Sequence, residues 1–405
     1  EQTPKFSPIK KTDSGYIISK LPVIKTGLNK ISFAIAAYDR FNGTSNEDGI
    51  YSAELFMDET PVTAFVLDSI SYNETRYIMA MADTRYGFNS GYGLQHISRL
   101  PGDNGPVYKK ITDDGLIHLS DTNIHAIRIK VTDAYQNFSE LNFQIQYIDS
   151  LKTETIYPTS QTVFTPNFVN VYENEKTGFE VYLDESVLYD TVRVNYNYST
   201  TMPYGSLSYL HQFNNPAVPL HKAMTVKIKP VQAIAEYQKN KLLIKHTYGN
   251  MYDVKKAIWQ NERAIALFRG FGNFQLFIDT VSPYINELGR SDTVDLSKAS
   301  AIIFRPSDNF GEIKNFRAEL DTSWVRFTND KGKSFIYRFD ETFEYGIHHL
   351  KVMAEDLAGN KTEKSWWFKK YPYTPPPPKK KISKKKSSGS KKTVVTKKTS
   401  PKKKK

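Results

Sequence analysis

The stretch that decides the fold is IHAIRIKVTDAYQNFSE, residues 124–140. It aligns without a gap on IHHLKVMAEDLAGNKTE, residues 347–363. In both copies apolar and polar residues alternate, then turn-forming residues follow, and then the chain continues into a second stretch. The pattern predicts a strand, a tight turn and a returning strand, which together close a sandwich. The identical pairs include Ile124 and Ile347, His125 and His348, Asp133 and Asp356, Asn137 and Asn360, and Glu140 and Glu363.

The turns of this repeat are the candidate structural site of the sequence. Asp and Asn accept and donate local hydrogen bonds in turns, and Gly adopts backbone angles that other residues avoid. A calcium site is the alternative, but it needs about six oxygens and each turn offers only two or three side-chain groups. The pattern therefore favours turn capping over calcium. The predicted turn residues are Asp133, Asn137, Asp356, Gly359 and Asn360.

Alternation of period two recurs along the chain, as in Val192, Val194, Tyr196 and Tyr198. Helical periodicity is hard to find, and only residues 254–267 hint at a helix. Short strands separated by turn signals predict a mostly β protein with two to three immunoglobulin-like antiparallel β-sandwich modules. Closed barrels share this pattern, and the sandwich is the favoured reading.

A second similarity within the sequence indicates the domain organisation. FAIAAYDRFNG (33–43) resembles IIFRPSDNFG (302–311), so two similar modules bracket a third segment. DTVSPYI (279–285) reads as a linker and first strand of the last module, stiffened by Pro283. The first module shows no such lead-in, and its opening strand is expected upstream of Glu1. The predicted division is a β-sandwich at 1–148, a second β-rich module at 149–280, a sandwich at 281–370 and a tail at 371–405.

Composition excludes several chemistries. The 405 residues contain no cysteine, so disulfides, thiolate metal sites and a cysteine nucleophile are excluded. The chain also carries no HExxH, no HxH, no GxSxG and no phosphate-binding loop. We therefore assign no catalytic, cofactor-binding or metal-binding residue from the sequence. No apolar stretch is long enough to predict a membrane-spanning helix.

The positive charge is concentrated at the C-terminal end. Fourteen of the 55 Lys and Arg residues lie within 379–405, which leaves 41 basic against 43 acidic residues before them. Such a segment predicts a disordered polycation behind the Pro375–Pro378 spacer. It can bind an anionic surface without specificity, and sequence-specific nucleic-acid binding is not expected. A disordered segment that only keeps the chain in solution is an equally favoured alternative. The first lysines of this candidate surface-binding tail are Lys379, Lys380, Lys381, Lys384, Lys385 and Lys386.

Residues 1–146 resemble a known family, on the pieces ISYNETRY (70–77), LQHISRLPG (94–102) and DAYQNFSEL (133–141). They are similar to the non-catalytic region that follows the peptidase domain in lysostaphin-like, LytM-type zinc metallopeptidases of the Gram-negative envelope. The resemblance extends more loosely to about residue 370. In that family an HxxxD motif and an HxH motif bind zinc, and this sequence has neither.

The resemblance implies a non-catalytic accessory region beside a peptidoglycan-cutting peptidase, in the periplasm or cell envelope. Zinc is then expected only in the peptidase domain of the parent polypeptide, and peptidoglycan or an envelope protein is the expected partner. A stand-alone envelope structural or adhesion protein is one alternative. A glycan-binding module or glycoside-acting enzyme is the other, although packing in cores and strands is the favoured role of the aromatic residues that it would use. These candidates are Tyr72, Tyr77, Tyr86, Tyr92, Trp259, Trp324, Trp366 and Trp367.

Overall fold

The computed structural model describes residues 5–19, 22–40, 47–83, 93–152, 161–311, 313–330 and 333–373. Strands dominate these residues, and the helices among them are short. The one α-helical turn described is α1 (Ile78–Met81), and 3₁₀ turns occur at Tyr72–Tyr77, Asp113–Gly115, Asp149–Leu151 and Glu236–Lys241. The predicted fold class, mostly β with immunoglobulin-like sandwiches, is confirmed.

The N-terminal sandwich is built from the strands up to residue 147. Its main sheet has the order β1-β2-β15-β14-β8-β9-β12, and smaller sheets of β10-β11-β5 and β13-β4 also belong to this unit. Inward-facing residues such as Leu55, Phe65 and Ile127 form its core. The strands are β1 (Ile9–Thr12), β2 (Gly15–Ile18), β3 (Val23–Thr26), β4 (Lys30–Ile31), β5 (Ala34–Ile35), β6 (Tyr38–Asp39), β7 (Asp48–Gly49), β8 (Ser52–Met57), β9 (Thr60–Val66), β10 (Ala82–Asp83), β11 (Leu94–His96), β12 (Tyr108–Ile111), β13 (Ile117–His118), β14 (Ile124–Thr132) and β15 (Phe138–Tyr147).

The middle sandwich pairs two five-stranded antiparallel sheets, β17-β18-β22-β26-β25 and β20-β21-β27-β23-β24. Phe179, Phe213 and Phe274 meet between them, and each fully buried side chain of this kind contributes about 2 kcal/mol. The strands are β16 (Val163–Phe164), β17 (Asn170–Asn174), β18 (Phe179–Leu183), β19 (Val192–Arg193), β20 (Tyr196–Ser199), β21 (Leu210–Phe213), β22 (Met224–Ile228), β23 (Leu242–Tyr248), β24 (Met251–Lys256), β25 (Ile258–Gln260), β26 (Arg263–Phe268) and β27 (Gly272–Ile278).

The C-terminal sandwich pairs a five-stranded sheet, β28-β35-β34-β30-β31, with a three-stranded sheet, β29-β33-β32. Phe304, Val352 and Phe368 are central to its core. The strands are β28 (Thr293–Asp295), β29 (Ala301–Phe304), β30 (Ile313–Leu320), β31 (Ser323–Val325), β32 (Thr328–Asp330), β33 (Ser334–Arg338), β34 (Gly346–Asp356) and β35 (Lys361–Lys370).

The sequence repeat forms equivalent hairpins in the two outer sandwiches. Strands β14 and β15 pair from Ile124↔Gln146 to Thr132↔Phe138, and β34 and β35 pair from Gly346↔Lys370 to Glu355↔Lys361. In each hairpin the returning strand also pairs in parallel with an earlier strand of its own sandwich. That strand is β28 in the C-terminal sandwich and β3 in the N-terminal one, at equivalent register.

The expected opening strand upstream of Glu1 was the counterpart of residues 279–285, and it stays a prediction. Within the described residues, Val23–Thr26 fills the place that Thr293–Asp295 fills in the C-terminal sandwich. The sequence hides the equivalence because the two stretches share a position in the sheet rather than a residue pattern.

Residues 254–267 do not form the helix that their sequence hinted at. This stretch lies in the strands β24, β25 and β26, which belong to two different sheets. Buried Val254, Ala257, Ala264 and Ala266 imitate a helical period because the chain changes sheets between them.

Candidate metal centre and module junctions

The rear junction is where the middle sandwich meets the C-terminal one. Asp279 directly follows β27, the last strand of the middle sandwich, while Asp308 lies in the loop after β29 and Asp356 ends β34. Beside them, Leu243 and Val254 of the middle sandwich pack with Ala358 of the C-terminal one in a small apolar cluster. The junction therefore places three acidic side chains next to an apolar contact.

These three carboxylates form one cluster. An oxygen of each lies within 4.8 Å of an oxygen of the others. Asp279 is 1% exposed and Asp356 is 0% exposed, while Asp308 is half-buried. Among the described residues, this is the one group of three or more His, Asp or Glu side chains close enough to hold a metal ion.

The hydrogen bonds of the cluster leave two carboxylate oxygens unused. Asp279 Oδ1 accepts bonds from the Val281 backbone N–H at 3.1 Å and from Asn309 Nδ2 at 3.2 Å. Asp308 Oδ2 accepts the Phe310 backbone N–H at 2.9 Å. Asp279 Oδ2 and Asp308 Oδ1 are buried with no hydrogen-bond partner among the described residues. A buried carboxylate oxygen without a hydrogen-bond donor costs free energy, so these two atoms are the unsatisfied polar groups of the junction.

Asp356 is held by its own turn. Its Oδ1 accepts the Asn360 backbone N–H and its Oδ2 accepts Asn360 Nδ2, both at 2.8 Å. Asn360 Nδ2 also lies 3.0 Å from the backbone carbonyl oxygen of Asp279 and 3.3 Å from that of Val281. The turn of the C-terminal sandwich is thereby bonded to the chain that leaves the middle sandwich.

The ionisation of the cluster follows from burial and mutual repulsion. Burial raises the pKa of the Asp279 carboxyl, and the nearby charge of Asp356 raises it further. Burial also raises the pKa of Asp308, with added repulsion from Asp279 and Asp356. The carboxyl groups of Asp279 and Asp308 therefore ionise less readily than an ordinary aspartate.

The equivalent turn of the N-terminal sandwich is exposed. Asp133 Oδ1 accepts the backbone N–H groups of Tyr135 and Asn137, and Asp133 Oδ2 accepts Asn137 Nδ2. These bonds, led by the one from the Asn137 side chain, lower the pKa of Asp133. Gln136 takes the left-handed backbone (φ 70°) where Gly359 (φ 81°) stands in the other copy. All five turn residues named from the sequence thus lie in the two hairpin turns.

The front junction, between the N-terminal and middle sandwiches, contains two pieces of the family resemblance. Tyr77 of ISYNETRY stacks on His221 with ring centroids 4.4 Å apart. The Tyr189 hydroxyl donates to the Arg76 carbonyl oxygen at 2.7 Å, and the Tyr189 carbonyl accepts the Gly102 N–H at 2.8 Å. The ends of both pieces therefore contact the middle sandwich.

Gly102 is required at this junction for space. A Cβ atom added there would lie 2.0 Å from the carbonyl oxygen of Leu188, which is backbone and cannot swing away. Asn167 Nδ2 also donates to the Pro101 carbonyl oxygen at 2.9 Å. The front junction is thus a close backbone-to-backbone contact.

Exposed aromatic residues lie on the five-stranded sheet of the C-terminal sandwich. Trp324 is 59% exposed and Trp367 is 52% exposed. The register pairs Trp324 with Glu319 and Trp367 with His349, and alternation places all four on one outer face. Trp366, in contrast, is buried in the core. The lysines from Lys379 onward lie outside the described residues.

Part of the middle sandwich is similar to a known domain family. Residues 161–279 match the Zu5-like domain. This range begins just before β16 and ends at Asp279, the acid that follows β27. No curated protein matches the chain.

Several solved structures match this chain at low similarity. Fibronectin(III)-like modules of CbhA from Clostridium thermocellum are 7% identical, with 90% of this chain and 94% of that chain covered and a TM-score of 0.18. A Bacteroides ovatus glucan-utilization protein, SGBP-B, solved with a mixed-linkage heptasaccharide, is 7% identical with coverages of 92% and 70% and a TM-score of 0.16. Immunoglobulin domains 1–5 of Sidekick-1 are 8% identical with coverages of 87% and 97% and a TM-score of 0.21. At these scores the similarities carry no argument about function.

A search of the described residues for a helix long and apolar enough to cross a membrane found none.

Proposed function

We propose that this chain is the non-catalytic β-sandwich region of a peptidoglycan zinc metalloendopeptidase of the Gram-negative envelope. It positions the peptidase or binds the wall or a partner protein. One observation carries the proposal. Two of the pieces that most resemble that family, ISYNETRY and LQHISRLPG, end in residues that form the front junction, Tyr77 and Gly102.

The front junction restricts how the N-terminal and middle sandwiches move relative to each other. A flexible linker lets neighbouring modules reorient freely, whereas hydrogen-bonded backbones and stacked rings restrict them. Tyr189 bonds to both pieces, through its hydroxyl to Arg76 and through its carbonyl to Gly102. The N-terminal sandwich is then held in a defined direction relative to the middle sandwich. That is the property a positioning region needs.

The lysine-rich tail adds a second attachment in this proposal. Envelope surfaces carry phosphate and carboxylate groups, and lysines gain at most about 1 kcal/mol each near an anionic surface, falling with salt. The tail lysines from Lys379 to Lys386 therefore give a weak, salt-sensitive attachment that complements a specific contact made by the sandwiches.

The first test combines the gene with the purified chain. We expect the coding sequence upstream of Glu1 to encode HxxxD and HxH motifs within about one domain length. We expect the chain itself to co-sediment with peptidoglycan sacculi at high salt and to release no muropeptides with added zinc. An upstream sequence without the motifs, or zinc-dependent cleavage by this chain, would overturn the proposal.

The second test asks whether the front junction matters. Gly102→Ala places a Cβ against the Leu188 carbonyl, so we expect the junction to open and the radius of gyration from X-ray scattering to increase. Gly49→Ala is the matched control, because a Cβ at Gly49 has nothing within 4 Å. In the parent polypeptide, Gly102→Ala is expected to lower muropeptide release while Gly49→Ala leaves it unchanged. Equal activity in both variants would argue against a positioning role.

Glycan binding is the second candidate function, favoured by one observation. Trp324 and Trp367 are exposed on the same sheet face, with Glu319 and His349 beside them. Aromatic faces stack on sugar rings while neighbouring polar groups bond the hydroxyls. Saturable binding to a glycan that is lost in both Trp324→Ala and Trp367→Ala would support this function. A titration with no saturation for any wall or plant glycan would end it.

A further inference from the structure

We propose that Asp279, Asp308 and Asp356 bind a calcium ion at the rear junction. This site is independent of the peptidase proposal, because it depends only on residues of the middle and C-terminal sandwiches. No candidate from the sequence contains Asp279 or Asp308, and the proposed ion would connect one unit to the next.

The unpartnered oxygens are the first argument. Asp279 is 1% exposed, and its Oδ2 atom has no donor, although its Oδ1 accepts two hydrogen bonds. Asp308 repeats the pattern, with Oδ2 bonded to the Phe310 N–H and a buried Oδ1 left free. Each of these two acids therefore has one oxygen held by hydrogen bonds and one buried oxygen without a donor. A cation bound between the three acids would supply the partner that both atoms lack.

The charge balance is the second argument. In the described part of the chain, none of the three carboxylates forms an ion pair with Lys, Arg or His at 4.0 Å or less. Lys241 acts on Asp279 only as a minor electrostatic influence. Lys256 is directed to the Ala358 carbonyl oxygen at 3.4 Å. Three close carboxylates without a paired cation repel one another, and a divalent ion removes that repulsion.

The donor set selects calcium. All candidate ligands are carboxylate oxygens, which suits hard cations and not the metals that prefer His or Cys. Each of the three carboxylates offers one ligand oxygen, and water or further oxygens would complete the six to eight that calcium takes. Magnesium demands a tighter octahedral arrangement and keeps most of its waters, so a buried cluster of acids suits it less.

The three proposed ligands come from two different sandwiches. Asp279 belongs to the end of the middle sandwich, and Asp308 and Asp356 belong to the C-terminal one. Asn360 already bonds to the carbonyl oxygens of Asp279 and Val281. A bound ion would add a second connection at the same place, so binding and the orientation of the two units are coupled.

The test uses the full chain after removal of metals with EDTA and dialysis. We expect about 1 mM calcium chloride to raise the unfolding temperature and to give a saturable isotherm in titration calorimetry. The same concentration of magnesium is expected to give a much smaller shift. No change with calcium would overturn the site, and an equal shift with magnesium would overturn the choice of ion.

Asp308→Asn is the deciding variant, since its side-chain oxygen can still accept the Phe310 N–H. It removes one negative charge, so we expect the metal-free variant to be at least as stable as the wild type and to bind calcium at least tenfold more weakly. Asp133→Asn is the matched control in the equivalent unit, and its calcium response should equal that of the wild type. If Asp133→Asn weakens calcium binding as much as Asp308→Asn does, the ion is bound elsewhere and the proposal fails.

Discussion

The two copies of the repeated turn, 133–137 and 356–360, share a hydrogen-bonding pattern and differ in what surrounds them. In both, an Asp accepts bonds from the backbone N–H and side-chain amide of an Asn four residues later. The first turn is exposed, and its acid bonds only within the turn. The second is buried against Asp279 and Asp308. A repeat in sequence therefore specifies the turn, and the neighbouring unit decides whether that turn becomes a site.

The largest effect that separates the two copies is expected from removing the acid. Asp356→Ala leaves the buried Asn360 backbone N–H without an acceptor and removes one of the acceptors of its side-chain amide, so we expect a loss of about 3 kcal/mol in the calcium-loaded C-terminal sandwich. Asp133→Ala leaves donors that water can bond instead, so its loss of stability should be much smaller. Urea unfolding followed by tryptophan fluorescence for Asp356→Ala, and by hydrogen exchange in β14 for Asp133→Ala, measures both. Equal losses would mean that burial does not distinguish the turns.

A smaller effect is expected from exchanging the left-handed residue. Gly359 has φ 81°, so Gly359→Ala should destabilise its sandwich by about 1 kcal/mol. Its Cβ would meet no atom closer than 3.7 Å, which leaves backbone strain as the cause. Gln136→Gly, at φ 70°, should stabilise or leave unchanged the N-terminal sandwich, because the strain is already present there. Thermal unfolding of each variant tests the pair, and effects of the same sign would refute the equivalence of the turns.

The smallest expected effect is a difference in pH dependence, measured with EDTA present. The folded-state pKa of Asp308 lies above its ordinary value of 3.8, so folding disfavours its charged form. The advantage of Asp308→Asn over the wild type should therefore be full at pH 7 and shrink as the pH falls through the raised pKa. A pH-independent advantage would show that charge repulsion is not its source.

Asp133 should show the opposite sign, since its folded-state pKa is lowered from 3.8. The ionised wild type is then more stable than Asp133→Asn above pH 3.8. That difference should disappear as the pH falls through the lowered pKa. Urea midpoints at several pH values provide the comparison.

Much of the fold follows from local patterns that the sequence displays openly. Alternation predicted the long strands, and the repeat located both hairpins with their turns. The equivalence of Val23–Thr26 with Thr293–Asp295 could not be found in this way, because parallel pairing with a distant strand leaves no local signal. The helix expected over residues 254–267 was wrong for a related reason. The chain passes from one sheet to the other within this stretch, and no local pattern shows that change.

The acid cluster shows where sequence reasoning stops. Asp279 was visible in the linker DTVSPYI, Asp308 in the echo IIFRPSDNFG, and Asp356 in the repeated turn. Each acid is an ordinary turn residue by itself, and 77 residues separate the first from the last. Their meeting depends on how the two sandwiches dock, which is a long-range property of packing. An unusual number of acids at the loops of one end of a module is the signal that could have raised the question.

The direction of β35 determines where the lysine-rich tail begins. This strand starts beside the rear junction at Lys361 and ends at Lys370, paired with Gly346. Nine residue steps along a strand cover about 30 Å, so the chain leaves the C-terminal sandwich at the pole opposite the acid cluster. The buried acids and the last residue of β35 therefore lie at opposite ends of one sandwich, and the described chain runs away from the acidic cluster as it leaves that strand.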